Sequence, residues 1–398
     1  MERFAAAQRA AVAPFHVMDL LAAAEERGRT HGDVLNLVAG QPSTPAPEAV
    51  RAAARRALDE SLLGYTVATG IPELRDAIAG HHRRVYDLDV TREDVVVTTG
   101  SSGGFLLAFL AAFEAGDRVA IARPGYPCYR NVLTALGCEV VEIDCGPETR
   151  FQPTVAQLEE LTATLDGPLA GLVVASPANP TGTMLLPDEL AALARWCEEQ
   201  GVRLISDEIY HGIEYAGLDA GVAAPTRASA WATSRTGVVF SSFSKYFSMT
   251  GWRIGWMLVP ADLRRAVDVL TGNFTICPPV LSQHAAVAAF TPSSYAECDG
   301  HVARYAANRA LLLEGLPRLG IDRLAPADGA FYVYADIGHL TEDSMGWCRR
   351  LLAETGVATA PGVDFDTATG DCTVRMSFAG SAEEISSALD RLGSWLRR

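Results

Sequence analysis

The chain has 398 residues, 49% of them hydrophobic and 20% charged, a balance that builds a sizeable buried core and excludes intrinsic disorder. Its formal net charge of −15 argues against a nucleic-acid backbone as partner, and no apolar run approaches the roughly 20 residues needed to span a bilayer. The opening Met1-Glu2-Arg3-Phe4-Ala5 has no signal-peptide layout, and the eight cysteines show no Cys-x-x-Cys pair and no histidine at metal-ligand spacing, so reduced thiols in a cytoplasmic protein are expected.

Residues 1–35 are expected to be mostly helical, the run Met18-Asp19-Leu20-Leu21-Ala22-Ala23-Ala24 having high helix propensity. A strand-like Val34–Val38 runs into the turn signal Ala39-Gly40-Gln41-Pro42, and Pro47 opens a further helix to Leu58. The adjacent His81 and His82, beside Arg83 and Arg84, read as a solvated surface, because neighbouring helical positions face different ways. From Val95 the rhythm changes to short apolar strands at 95–98, 119–122, 139–143, 172–175, 203–206, 237–241 and 255–259, with helical stretches such as 187–200 between them. Such alternation predicts an α/β fold with a mostly parallel wound sheet. Beyond about 290 longer helices are expected at 300–316, 344–355 and 382–397, with a strand at 330–334. The expected organisation is therefore a large domain over 46–290 and a smaller α+β domain over 291–398, the latter completed by the N-terminal segment 1–45.

Ligands gather at the carboxyl ends of strands in open α/β sheets, and the residues following each strand form a series. Thr99-Gly100-Ser101-Ser102-Gly103-Gly104 precedes an apolar helix, a setting that suits a phosphate. Tyr126 follows Arg123-Pro124-Gly125, Asn179 lies in Ser176-Pro177-Ala178-Asn179-Pro180-Thr181-Gly182, and Asp207 and Tyr210 follow the apolar run ending at Ile205. A carboxylate leaving a buried strand needs a partner or a task. Next come Ser242, Lys245 and Arg253. Lys245 is the one lysine in the chain, which leaves 33 − 1 = 32 arginines in the pooled count. A guanidinium offers no free amine, whereas a lysine amine can lose its proton, condense with an aldehyde and later move protons. The preceding Val238-Val239-Phe240 argues that Lys245 does not sit on open surface.

In order and spacing, Asn179-Pro180-Thr181-Gly182, Asp207-Glu208-Ile209-Tyr210, Ser242-Phe243-Ser244-Lys245 and Gly251-Trp252-Arg253-Ile254-Gly255 resemble the class I/II aminotransferases of fold type I, the aspartate aminotransferase superfamily. The likeness extends from Ala39-Gly40-Gln41-Pro42 to Arg375-Met376-Ser377-Phe378. It implies pyridoxal 5'-phosphate as cofactor, held covalently by Lys245. Asp207 would pair with the pyridine nitrogen, Tyr210 and Asn179 would reach the phenolic oxygen, and Tyr126 would stack on the ring. Ser101, Ser102, Ser242 and Arg253 would hold the phosphate. Arg375, assisted by backbone near Gly40, would grip the substrate carboxylate. Tyr65 would reach the phosphate of a neighbouring subunit, which implies a homodimer with shared active sites.

The activity implied is transfer of an amino group between an L-amino acid (aspartate, alanine or another neutral or aromatic donor) and a 2-oxo acid such as 2-oxoglutarate or pyruvate. A carbon–sulfur β-lyase would show much the same cofactor residues. A non-catalytic regulator that only binds the cofactor is the third reading; such proteins fuse a basic DNA-binding module, which is not expected here. No second lysine exists to receive a distal carboxylate, a role that one of the 32 arginines could take instead. Phe15, Phe274 and Tyr332 are candidates for the pocket lining, with core packing the competing role for each.

Overall fold

The computed structural model describes residues 5–215 and 227–398. Twelve strands are formed among them: β1 (Leu35–Asn36), β2 (Val95–Thr98), β3 (Arg118–Arg123), β4 (Glu139–Asp144), β5 (Leu169–Ala175), β6 (Arg203–Asp207), β7 (Val238–Ser242), β8 (Gly255–Leu258), β9 (Tyr332–Asp336), β10 (Val357–Ala358), β11 (Ala360–Pro361) and β12 (Thr373–Ser377). The expected seven strands pair as one sheet in the order β2-β8-β7-β6-β5-β3-β4. β8 runs antiparallel to both its neighbours, and the other pairs are parallel. Parallel strands need crossovers and are covered on both faces, which is why β5 reads as a near-continuous apolar run and, like β6, is mostly buried.

The helices are α1 (His16–His31), α2 (Glu48–Glu60), α3 (Pro72–Tyr86), α4 (Gly100–Ala112), α5 (Pro127–Leu136), α6 (Val155–Thr164), α7 (Pro187–Gln200), α8 (Arg264–Phe274), α9 (Val280–Ala286), α10 (Pro292–Arg318), α11 (Ser344–Thr355) and α12 (Ala382–Leu396). Proline occupies the first turn of α3, α5, α7 and α10, where its missing N–H costs nothing and its fixed φ suits the helix. Ser381 caps α12 in a reciprocal box with Glu384. The N-terminal stretch is less helical than expected: a single turn at Gln8–Ala10 precedes α1, whose first two residues donate their backbone N–H groups to the Asp364 carboxylate at 2.9 and 2.6 Å. That carboxylate satisfies amides which have no partner within the helix.

A second, antiparallel sheet has the order β11-β12-β9. β1 pairs in parallel with β10, so the N-terminal segment is joined to the C-terminal part of the chain.

The structure corrects the surface assignment of the histidine pair. His82 is buried and its Nε2 accepts from the Trp256 indole N–H at 3.0 Å. His81 is half-buried, its Nδ1 2.7 Å from the Tyr295 hydroxyl. Both rings stand edge-on to Trp256 of β8, at 6.0 and 6.1 Å, and His81 also stacks on Tyr295 of α10, so the face that periodicity leaves open is covered. Burial lowers the His82 pKa to about 4, against about 6.5 in an unfolded chain. The native state thus favours neutral His82, and its contribution to stability is complete above about pH 6.5 and lost as pH falls toward 4. Urea midpoints should decline across that window by up to about 3 kcal/mol of stability. His82→Gln, which keeps an acceptor for Trp256, should make the decline shallower, the remainder coming from His81 and His211, whose pKa values burial also lowers; an equally steep decline in that variant would remove His82 as a contributor.

Candidate active site

The carboxyl ends of β2, β5, β6 and β7 open onto a cavity of about 290 Å³. Lys245 reaches it three residues after β7, and its Nζ donates to the Gly40 carbonyl at 2.6 Å. Burial draws the Lys245 pKa down to about 7; the Arg375 and Arg253 guanidinium groups push the same way, and Asp207 opposes them. Near neutral pH a substantial fraction of this amine is unprotonated, the form that attacks carbonyls and accepts protons.

Asp207, the last residue of β6, is buried and accepts from the Tyr129 hydroxyl and, at 3.1 Å, from the Ile209 amide. Burial raises its pKa to about 6, against the lowering effect of those bonds and of Lys245. The carboxylate is ionised at neutral pH and aimed into the cavity, where it would pair with a cationic ligand nitrogen.

At one end of the cavity, α4 brings in Ser101 and Ser102, facing Ser244, Thr250 and Arg253. Gly100 has φ +66°, and a Cβ there would stand 2.4 Å from an Arg253 guanidinium nitrogen; only glycine allows that approach. Arg253 itself adopts the left-handed region at φ +49°, a conformation that costs a non-glycine residue energy and clusters at functional sites. Among the described residues its guanidinium makes no ion pair and donates to the Thr250 carbonyl at 2.9 Å. Helix amides and an uncommitted guanidinium together form an anion cradle.

At the other end Arg375, on β12 and 2% exposed, donates to the Asn179 side-chain oxygen at 2.9 Å and the Val38 carbonyl at 2.7 Å. Its Nε has no partner, so it retains a donor for a further acceptor. Tyr126 stands on the cavity wall, its ring edge-on to Phe15 at 6.2 Å.

Of the residues expected at a site, the structure brings Gly40, Ser101, Ser102, Tyr126, Asn179, Asp207, Tyr210, Lys245, Arg253 and Arg375 to this one cavity. Ser242 is buried behind it, with its Oγ accepting from the Ser244 amide at 3.0 Å. Tyr65 lies outside, 83% exposed. Phe15 and Tyr332 line the cavity. Phe274 does not: it is exposed at the end of α8. Sequence reasoning missed Tyr129, whose spacing three residues after Tyr126 was the available signal. It also missed Val17, Met18 and Leu21, which face the cavity from α1.

The model of the family described as aminotransferase class I and II matches residues 32–392. This chain belongs to that family. It is 66% identical to the valine–pyruvate aminotransferase of Mycobacterium tuberculosis, over 98% of either chain. It is 36% identical to the aspartate/prephenate aminotransferase of Thermus thermophilus, over 98% of this chain and 97% of that one. An aminotransferase crystal structure from M. tuberculosis superposes with a TM-score of 0.95 at 65% identity, covering 99% of both chains. The aspartate aminotransferase of T. thermophilus solved with maleate gives 0.90 at 34% identity, covering 98% and 99%. The protein is therefore an aminotransferase of the aspartate aminotransferase superfamily, acting on amino acids and 2-oxo acids, and it has the expected mostly parallel fold-type I sheet. No helix among the described residues is long and apolar enough to cross a membrane.

Proposed function

We propose that this aminotransferase uses pyridoxal 5'-phosphate to move the amino group of an apolar L-amino acid, valine foremost, to a 2-oxo acid such as pyruvate. The observation that carries the donor class is the make-up of the cavity wall. Phe15, Val17, Met18 and Leu21 supply an apolar face, and the lining cations among the described residues are Lys245, Arg253 and Arg375. Each of those three has a task, so none remains for a distal carboxylate. The name of the mycobacterial relative points the same way.

The donor set fits the cofactor. The cradle formed by α4 and Arg253 suits its phosphate, Asp207 suits its pyridine nitrogen, and the Lys245 amine, its pKa drawn down by burial, suits its aldehyde. Bound there, the cofactor supplies a carbonyl that captures the amino group and a ring that takes up the electron pair left at the substrate Cα. Asp207 would hold the ring-nitrogen proton in place, Tyr210 and Asn179 would serve the phenolic oxygen, and Tyr126 would cover a ring face. Arg375 binds the substrate carboxylate through charge-assisted bonds. Lys245 Nζ would be the group that accepts the substrate Cα proton and later returns it.

A homodimer with shared sites belongs to the same reading. Leu62, Tyr65 and Val67 are 97, 83 and 58% exposed, and Phe274 and Ile276 on the adjoining segment 59 and 51%. The two segments lie side by side: a Cβ added at Gly272 would stand 3.9 Å from Ala68. A second copy covering this apolar face would bring the partner's Tyr65 to the phosphate. A cytoplasmic location suits the eight unpaired cysteines.

Single-turnover spectra of the holoenzyme against valine, alanine, phenylalanine, aspartate, glutamate and cystathionine test the assignment. Valine should bleach the cofactor's visible band within one turnover, and pyruvate should restore it. Faster bleaching by aspartate or glutamate would overturn the donor class. Release of pyruvate and ammonia from cystathionine, with the band persisting, would establish a β-lyase instead.

A further inference from the structure

Two phenols meet beside the cofactor position. The hydroxyl oxygens of Tyr210 and Tyr332 are 2.7 Å apart, with the rings at 79° to each other. Tyr332 opens β9 and is completely buried. Its ring lies 4.4 Å beneath the Arg375 guanidinium carbon. Gly40 passes so close that a Cβ there would stand 2.7 Å from the Tyr332 oxygen, while the Gly40 carbonyl accepts from Lys245. Tyr332 thus touches the residues assigned to the phenolic oxygen, the substrate carboxylate and the lysine.

A phenol has one proton to donate. If Tyr210 gives its proton to the cofactor's phenolic oxygen, the bond between the two tyrosines must use the proton of Tyr332. We propose that Tyr332 is a positioning residue for transamination, donating to the Tyr210 oxygen so that Tyr210 donates more strongly to the cofactor's phenolic oxygen. The inference rests on the pyridoxal-phosphate reading above. Successive O–H donors polarise one another in a dry site, so the pair stabilises negative charge on the phenolic oxygen more than Tyr210 does alone. Donation to that oxygen would lower its basicity and so weaken its hold on the proton shared with the Lys245 nitrogen.

A spectrophotometric pH titration of the holoenzyme's visible band reads this proton directly, without turnover. Tyr332→Phe keeps the ring under Arg375 and removes only the oxygen. It should raise the apparent pKa by roughly half a unit to one unit, a three- to tenfold change in proton affinity. Tyr210→Phe should raise it further, and the double variant should match Tyr210→Phe alone. Gly40→Ala, whose methyl would displace the Tyr332 hydroxyl, is an independent check and should shift the titration upward too. If Tyr332→Phe and Gly40→Ala both titrate like the wild type while Tyr210→Phe shifts, Tyr332 only packs; the proposal falls and the cofactor reading stands. If Tyr210→Phe does not shift either, the role given to Tyr210 is wrong and the proposal falls with it.

Discussion

Replacing Lys245 by arginine is expected to lower kcat at least about 10⁴-fold, the upper range of what general acid–base catalysis alone supplies. The substitution keeps a cation and a long aliphatic stem, so the loss isolates what the amine does. Lys245 has its pKa drawn to about 7 by burial and by two neighbouring arginines; a guanidinium resists deprotonation even there. The variant therefore has neither a nucleophile for the aldehyde nor an acceptor for the substrate proton. Two measurements separate these losses: single-turnover kinetics for the proton, and borohydride treatment followed by mass analysis for the covalent link. Residual transamination within tenfold of the wild type would remove Lys245 from the mechanism.

Asp207→Asn should cost about 10³-fold in kcat with little change in melting temperature. The amide fits the same space and can still accept from Tyr129 and Ile209, whose bonds to the carboxylate fix its orientation. It cannot balance a protonated pyridine nitrogen, and a preorganised charge in a water-poor site is worth several kcal/mol to a developing carbanion. Asp207→Glu, which keeps the charge but shifts it by a methylene, should lose less. Equal losses in the Asn and Glu variants would mean that geometry, and not charge, is what Asp207 contributes.

The large sheet was legible because parallel strands buried on two faces leave continuous apolar runs, and because their carboxyl ends must then carry the polar residues. Lys245, Asp207 and Asn179 stood out for that reason. Arg375 was reached only through the family resemblance. What could not be read depends on contacts between distant parts of the chain. Tyr129 finds Asp207 across 78 positions, and Tyr332 finds Tyr210 across 122. The cavity wall on α1 depends on the Asp364 carboxylate, 347 residues from Val17. The histidine pair misled because local periodicity says which way a side chain points and not what waits there. Phe274 misled for the opposite reason, an aromatic residue that the chain leaves facing outward.

The single lysine has a consequence for covalent labelling. Apart from the α-amine, the only amino group in the molecule lies in the cavity at the strand ends, hydrogen-bonded to the Gly40 carbonyl. The outer surface therefore presents no side-chain amine for acylation, cross-linking or isopeptide conjugation. An amine-directed reagent must enter that cavity to reach Lys245, so that its incorporation beyond the α-amine counts these centres.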